Sequence, residues 1–410
     1  MKNNMNIRKL LALLLAALMS LSLMACGEAG EAAEPTGTPT QSTEPVIVAP
    51  ENPDEMITER SVFLASGATT QLTVNHNNVT FASSDTAVAT VDGSGKVTAV
   101  GKGAALITVT CAGVSDYCGV LVDMQGEIVD ISEAKADVIF SDLMLNAQTE
   151  IMGMAVNMEN GTAYFSQSYG PSSYAPQASD IMITQVKRDG DTWKRGSWMR
   201  FYESGMGYLG LETVNGKDML WLESGGSSLF GLGTAISRVE WKDEACLRTA
   251  YGDTVKLEDT AMPAPAVDVQ NDLIVVMDQI SGEYVVYDRS ALLAGESAVA
   301  LHRFECASRQ TPAAGEDDSQ GRYNASLRGF AVADGYLYQI SGKNSVYVSV
   351  FDLNGQLQYC QRLEDQPDLA LRYPAAIAVQ DSKVYVTIQS GSTACYFANL
   401  WVYEAPETAK

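Results

Sequence analysis

Five polar side chains recur at a matching place in the C-terminal two thirds of this 410-residue chain: Gln167, Glu223, Gln279, Gln339 and Gln389. Each closes an alternating apolar run and is followed within three residues by glycine, as in Gln339-Ile340-Ser341-Gly342-Lys343. Amides and carboxylates so placed, with Tyr169, Tyr174, Trp221 and Tyr338 beside them, can hydrogen-bond hydroxyls and stack sugar rings. The same groups can satisfy backbone groups where strands turn, ahead of the Ser and Gly that shape the turn. On a closed repeat, the five would stand at similar radius and height, as a ring of candidate ligand-binding residues.

Other chemistry is sparse. The two histidines, His76 and His302, stand apart from any nucleophile motif and read as isolated surface residues; no Gly-x-Ser-x-Gly elbow, P-loop or zinc signature is present. No catalytic residue is assigned. Glu316-Asp317-Asp318, Asp278, Asp288 and Asp352 are oxygen ligands of the kind calcium takes, without EF-hand spacing. No cofactor is therefore expected, and calcium is the one ion the acids could serve. Of the seven cysteines, Cys111 and Cys118 are close enough to face each other across a hairpin and are the expected disulfide. The pairing of Cys246, Cys306, Cys360 and Cys395 stays open.

The elements that position these residues follow from repeats and punctuation. Ile151–Gly170, Leu209–Gly225, Ala266–Gly282, Leu327–Gly342 and Ala375–Gly391 share a strand, a turn and a second strand. Residues 128–410 thus hold five units of roughly 55 residues, long enough for a blade of four antiparallel strands. Turn pairs at Asn160-Gly161, Asp189-Gly190, Asn215-Gly216, Asp334-Gly335 and Asn354-Gly355 separate alternating strands. Residues 290–300 read as a short helical insert. A five-bladed β-propeller is expected.

Ahead of it, residues 56–124 carry short alternating runs at sandwich spacing. Phe81-Ala82-Ser83-Ser84-Asp85, Val88-Ala89-Thr90-Val91-Asp92 and Gly95-Lys96-Val97-Thr98-Ala99-Val100, closing on Gly101-Lys102-Gly103, resemble the bacterial immunoglobulin-like group 2 domain in order and spacing. That resemblance implies an Ig-like sandwich used as an adhesive part or a stalk spacer; the spacer reading is preferred, since nothing marks a binding face. The fold class is all-β: a sandwich, then a propeller.

Residues 1–25 read as an export signal, with Lys2, Arg8 and Lys9 before the apolar run Leu10–Leu23. Leu23-Met24-Ala25-Cys26 resembles the bacterial lipobox, which implies cleavage before Cys26 and its lipidation. Residues 26–55, rich in Glu, Thr, Pro and Ala, bury too little to fold and read as a flexible tether. The chain carries a formal charge of −23, which disfavours nucleic acid and polyanionic surfaces as long-range partners.

The propeller region resembles, through Ile151-Met152-Gly153-Met154-Ala155-Val156, Asp180–Val186, Ser204–Glu212, Asp218–Glu223 and Leu327-Arg328-Gly329-Phe330-Ala331-Val332, the propellers of staphylococcal phage receptor-binding proteins, teichoic acid biosynthesis protein C and helveticin J. That resemblance implies a platform for cell-wall polymer recognition. Two departures stand out. Met152 and Arg328 occupy places where such proteins tend to have Gln before Gly, and Gly205-Met206-Gly207 replaces Gly-His-Gly. The functional expectation is a lipoprotein at the outer face of the cytoplasmic membrane, in a Gram-positive type of envelope. It would bind a glycan, cell-wall polymer or protein partner without catalysis. The alternative is a propeller hydrolase or lyase, which would gather carboxylates in the central channel.

Overall fold

The computed structural model describes residues 56–171, 179–204, 207–225, 233–247, 253–257, 260–295, 298–306, 327–342, 346–363, 373–392 and 395–404. The leader, Cys26, the tether, Tyr174 and the acidic run 316–318 lie outside the described residues.

Seven short strands build the sandwich: β1 (Ser61–Leu64), β2 (Thr69–Gln71), β3 (Thr80–Ser83), β4 (Ala89–Val91), β5 (Lys96–Ala99), β6 (Gly103–Cys111) and β7 (Val114–Val122). They form two sheets, ordered β1-β7-β6-β3 and β2-β5-β4, with β1 parallel to β7. Alternation in β6 turns Ala105, Ile107 and Val109 inward against Val97, Cys118 and Val120, which are buried. In the β6–β7 hairpin Cys111 lies opposite Val114, while Cys118 lies opposite Ile107. Both thiols are free, so the expected Cys111–Cys118 disulfide is corrected: the tight turn puts the two in different rungs of the ladder.

The remaining strands form five sheets. They run β8 (Ala136–Met144), β9 (Ile151–Asn157), β10 (Thr162–Pro171), β11 (Ser179–Asp189), β12 (Thr192–Ser204), β13 (Gly210–Val214), β14 (Lys217–Ser224), β15 (Ala235–Glu240), β16 (Ala245–Leu247) and β17 (Asp253–Lys256). Then come β18 (Pro263–Asp268), β19 (Leu273–Asp278), β20 (Tyr284–Asp288), helix α1 (Arg289–Ala294) and β21 (His302–Phe304). The last are β22 (Leu327–Ala333), β23 (Tyr336–Gly342), β24 (Val346–Asp352), β25 (Leu357–Leu363), β26 (Tyr373–Gln380), β27 (Lys383–Ser392) and β28 (Cys395–Glu404).

The sheets are the five blades of a propeller. Blade 1 is β9-β10-β11-β12, blade 2 is β13-β14-β15-β17, blade 3 is β18-β19-β20-β21 and blade 4 is β22-β23-β24-β25. Blade 5, β26-β27-β28-β8, takes its outer strand from the beginning of the region, which closes the ring non-covalently. The first strands β9, β13, β18, β22 and β26 contact one another around the axis. Strand β16 leaves blade 2 and adds a parallel edge to blade 1, Arg200 pairing with Cys246. Helix α1, inside blade 3, is capped by Asp288, whose side chain accepts from Ala291 N, and ends at Gly295 in the left-handed region.

Stacked blades bury both faces of their middle strands. Every residue of β19, β23 and β24 is buried, which overrides simple in–out alternation. A polar side chain on such a strand has no water and must find a protein partner.

The sandwich leans on blades 3 and 4. Its exit segment crosses the Asp334-Gly335 hairpin turn: Gly126 N donates to Asp334 O at 2.9 Å and Asn271 Nδ2 to Met124 O at 2.9 Å. Gly335 (φ 80°) supplies the left-handed turn and also the clearance, since a Cβ there would lie 2.1 Å from Met124 O. Leu121 and Met124 share an apolar cluster with Val275, Phe330 and Leu337 of the propeller.

Candidate functional site

The five repeat-ending glycines, Gly170, Gly225, Gly282, Gly342 and Gly391, all adopt positive φ. The polar residues ahead of them fall into two sets. Gln167, Gln279 and Gln339 precede their glycine by three residues; Glu223 and Gln389 precede theirs by two. Because side chains alternate along a strand, the two sets point to opposite faces of their blades.

The hydrogen bonds follow that division. Gln339 Nε2, in blade 4, reaches back to blade 3, donating to Tyr284 Oη at 2.7 Å and to Cys306 Sγ at 3.4 Å. Gln279 Nε2, in blade 3, donates to Met262 O at 2.7 Å and to Glu223 Oε2 of blade 2 at 3.3 Å. Gln167 is held by the strap between blades 5 and 1, donating to Ala147 O and Thr149 O and accepting from Ala147 N. Gln389 points forward, accepting from Ile151 N of blade 1 at 2.8 Å. Glu223 likewise faces forward, and its Oε1 accepts from Gly233 N at 2.8 Å. The expected ring of five equivalent ligand-binding groups is therefore replaced by bolts between blades. A one-residue difference in spacing flips the face, and burial commits each group to a partner.

Trp221 is fully buried in blade 2, and its indole N–H donates to Glu212 Oε1 at 3.0 Å. Glu212 is itself buried and pairs with Arg238 and with Arg289 of blade 3. Trp221 is a packing residue, not a stacking platform. Tyr169 is 44% exposed on blade 1, and the Arg200 guanidinium lies 4.5 Å from its ring centre and 4.7 Å from that of Tyr202. Arg200 also pairs with the buried Asp180 at 2.5 Å. Phe201 lies in the core, and Trp193 packs on Phe140.

The middle of the channel is a cavity of about 70 Å³ lined by residues 154–156, 209–211, 266–267, 331–332 and 377–379. None of these carries a titratable side chain. Of the acids considered as calcium ligands, the three among the described residues bind backbone N–H groups. Asp278 accepts from Ile280 N and Ser281 N, Asp288 caps α1, and Asp352 accepts from Asn354 N and Gln356 N. Among the described residues no three His, Cys, Asp or Glu gather as a metal site.

A second cavity, of about 190 Å³, lies between blades 2, 3 and 4, walled by Tyr208, Met277, Gln279, Gly282, Tyr284, Cys306 and Leu327. Its two lining tyrosines both pack on the buried Phe330: Tyr208 with ring centres 5.6 Å apart and Tyr284 edge-on at 5.3 Å. Burial pushes the Tyr208 phenol up to about 12, with the Arg328 charge opposing and the Glu223 charge reinforcing. Burial likewise pushes the Cys306 thiol up to about 12, so it is no nucleophile at neutral pH. Gln279 thus reaches the pocket, and Gln339 bonds two of its lining residues, Tyr284 and Cys306, each as a member of a blade junction.

In the sequence Arg328 stands out only as a departure from a family pattern. In β22 the register slips between Leu327 and Gly329, so Arg328 is the extra residue of a β-bulge beside the pocket wall. Met152 occupies the corresponding slip of β9, between the partners of Ser166 and Gln167. Bulges re-aim side chains, and no single-chain periodicity announces them.

His302 corrects the expectation of an isolated surface residue. It sits where the sandwich meets blade 3, with Ser61 Oγ 2.6 Å from Nδ1, the Phe63 ring edge-on at 5.0 Å and Phe304 stacked at 5.7 Å. Burial lowers its pKa. His76 is exposed, as expected.

The family profile of the intimin immunoglobulin-like domain matches residues 76–113, within the sandwich. No curated protein matches the chain significantly. Among solved structures, the tail fibre of Staphylococcus aureus phage P68 is similar at 17% identity and a TM-score of 0.51, over 68% of this chain and 54% of the fibre. The chain therefore spans about half the length of that relative, and the likeness is one of fold. A β-xylosidase, RS223, aligns at 10% identity with a TM-score of 0.37, over 65% of this chain and 94% of the enzyme. A periplasmic gluconolactonase of Pseudomonas aeruginosa aligns at 8% identity with a TM-score of 0.28, over 72% of this chain and 77% of the enzyme. Likenesses that remote carry no argument about activity.

Proposed function

We propose that the chain is a cell-surface lipoprotein, tethered through lipidated Cys26, whose Ig-like module spaces a ligand-binding propeller from the membrane. The propeller binds a glycan or cell-wall polymer without transforming it, in the Tyr208–Tyr284 pocket between blades 2, 3 and 4. The observation that carries this reading is a contrast. The channel middle offers only apolar side chains, its polar groups being backbone, whereas the side pocket combines aromatic rings with an amide, the residue set that holds sugars through stacking and hydrogen bonds. The remote likeness to a phage tail fibre, one of fold, is compatible with this reading. The export signal and Cys26 supply the address.

Two measurements test it. Metabolic labelling with a palmitate analogue should tag the wild type and not Cys26→Ser, which should be found in the medium. Glycan-array binding and sedimentation with purified walls should show capture that Tyr208→Ala weakens tenfold or more. Absence of binding to any glycan or wall preparation, together with calcium-dependent turnover of a polysaccharide, would replace this reading with the hydrolytic one.

A further inference from the structure

Arg328 is an unusual cation in a strongly acidic chain. Its Nε is buried without a hydrogen-bond partner, and Arg328 forms no ion pair among the described residues. Most of the other buried or half-buried arginines here are matched: Arg200 with Asp180, Arg238 and Arg289 with Glu212, Arg303 with Glu283. A buried guanidinium N–H without an acceptor is costly, so, with none of the described residues supplying a partner, its place beside a cavity points to an anionic ligand.

The surroundings describe that partner. Arg328 stands at a bulge immediately after Leu327, which lines the 190 Å³ pocket, and near enough to the lining residue Tyr208 for its charge to favour the ionised phenol. The negative charge nearby, Glu223, is engaged by Gly233 N and by Gln279 Nε2. The Gln279 Oε1 accepts no hydrogen bond among the described residues, which leaves an acceptor for a hydroxyl. By volume the pocket holds about six waters, the scale of one sugar ring. A single guanidinium offers one planar fork, which matches a carboxylate. The formal charge of −23 repels a polyanion but tolerates one such charge on an otherwise neutral ligand.

We infer that the pocket between blades 2, 3 and 4 is a subsite for an acidic sugar, its carboxylate on Arg328, its ring against Tyr208 and Tyr284 and a hydroxyl on Gln279. This deepens the glycan-binding reading and rests on it.

The test is calorimetric titration of the full chain, at low salt, with an oligosaccharide bearing one terminal glucuronate and with its glucose-terminated counterpart. The wild type should favour the glucuronate at least tenfold, and 0.5 M NaCl should erase most of that preference. Arg328→Gln should bind both sugars alike, at the affinity the wild type shows for the neutral one. Arg328→Lys should keep part of the preference, because a point charge replaces the fork. Because Arg328 holds no partner among the described residues, Arg328→Gln should melt within about 2 °C of wild type. Equal wild-type affinity for the two sugars, or an undiminished preference in Arg328→Gln, overturns the inference and leaves the glycan reading standing. Tighter binding of a peptide C-terminal carboxylate than of the glucuronate also overturns it, in favour of a protein partner. Binding of neither sugar, with no glycan captured on an array, removes the glycan reading itself.

Discussion

Gln279 of blade 3 donates to Glu223 of blade 2 across 3.3 Å, so two residues standing at matching places in successive repeats meet each other. The pair forms because one precedes its glycine by three residues and the other by two, which turns them toward a shared interface. Glu223 is fully buried and also accepts from Gly233 N. Replacing Glu223 by Ala should therefore cost about 3 kcal/mol, from a cavity and an unsatisfied buried N–H. Gln279→Ala should cost about 1 kcal/mol. Chemical denaturation of both single variants and the double one should show coupling of about 0.5–1 kcal/mol; strict additivity would remove the bolt.

Gly153 of β9 is pressed against the approach to blade 2: a Cβ there would lie 2.2 Å from Gly207 O. The obstacle is backbone, which cannot swing aside. Gly153→Ala should lose about 1–3 kcal/mol, whereas Gly93→Ala, with nothing within 4 Å, should stay within about 0.5 kcal/mol of wild type. Similar melting points for the two variants would contradict this packing.

Ring closure depends on β8 docking on β28, and Asn399 clamps it. Its Oδ1 accepts from Asp142 N at 2.8 Å while its Nδ2 donates to Ile388 O and Ser390 Oγ, each at 3.0 Å. Asn399→Leu should raise hydrogen exchange in residues 136–144 before the rest of the ring. Uniform acceleration across all blades would show that the closure strand is not a separate weak point.

His302 should give the sandwich–propeller contact an acid sensitivity. Its folded pKa lies below the ordinary 6.5 because burial disfavours the charged ring, while Asp352 and Glu283 pull the other way. The unfolded chain thus binds the proton more readily. The contribution is complete above 6.5 and is lost as the pH falls through that value toward the folded pKa. Melting temperatures of wild type and His302→Phe at pH 7.5 and 5.5 should differ, the variant showing the smaller drop.

Thiol accessibility should separate the cysteines. Cys246 is exposed, whereas Cys118 and Cys306 are shielded and pushed up to about 12. Iodoacetamide at pH 8 should alkylate Cys246 in the native state and reach Cys118 and Cys306 only after unfolding. A Cys111–Cys118 peptide recovered under non-reducing digestion would contradict the free thiols.

The architecture was legible because its causes are local. Asn215-Gly216 and Asp334-Gly335 both take positive φ in two-residue hairpin turns, so the dipeptides announce their hairpins. The Asp381-Ser382 turn also takes positive φ at both residues but, without a glycine, carries no such signal. The site was harder to see. Gln167 and Gln389 looked alike in the chain, yet which neighbour each meets depends on the face it presents and on the blade stacked there. Arg328 needed a register slip to become conspicuous.

The sequence by itself determined that five strand-turn-strand units follow a sandwich of short strands, since turn residues and alternation act over a few positions. Only the tertiary structure decided that the ring closes through β8, that the recurrent amides fasten blades together, and that the Arg328 Nε is buried without an acceptor among the described residues. Those outcomes depend on contacts between residues as far apart as Asp142 and Asn399, or Glu223 and Gln279. Burial on both faces of a blade then obliges each polar group to take whatever partner the neighbouring blade brings.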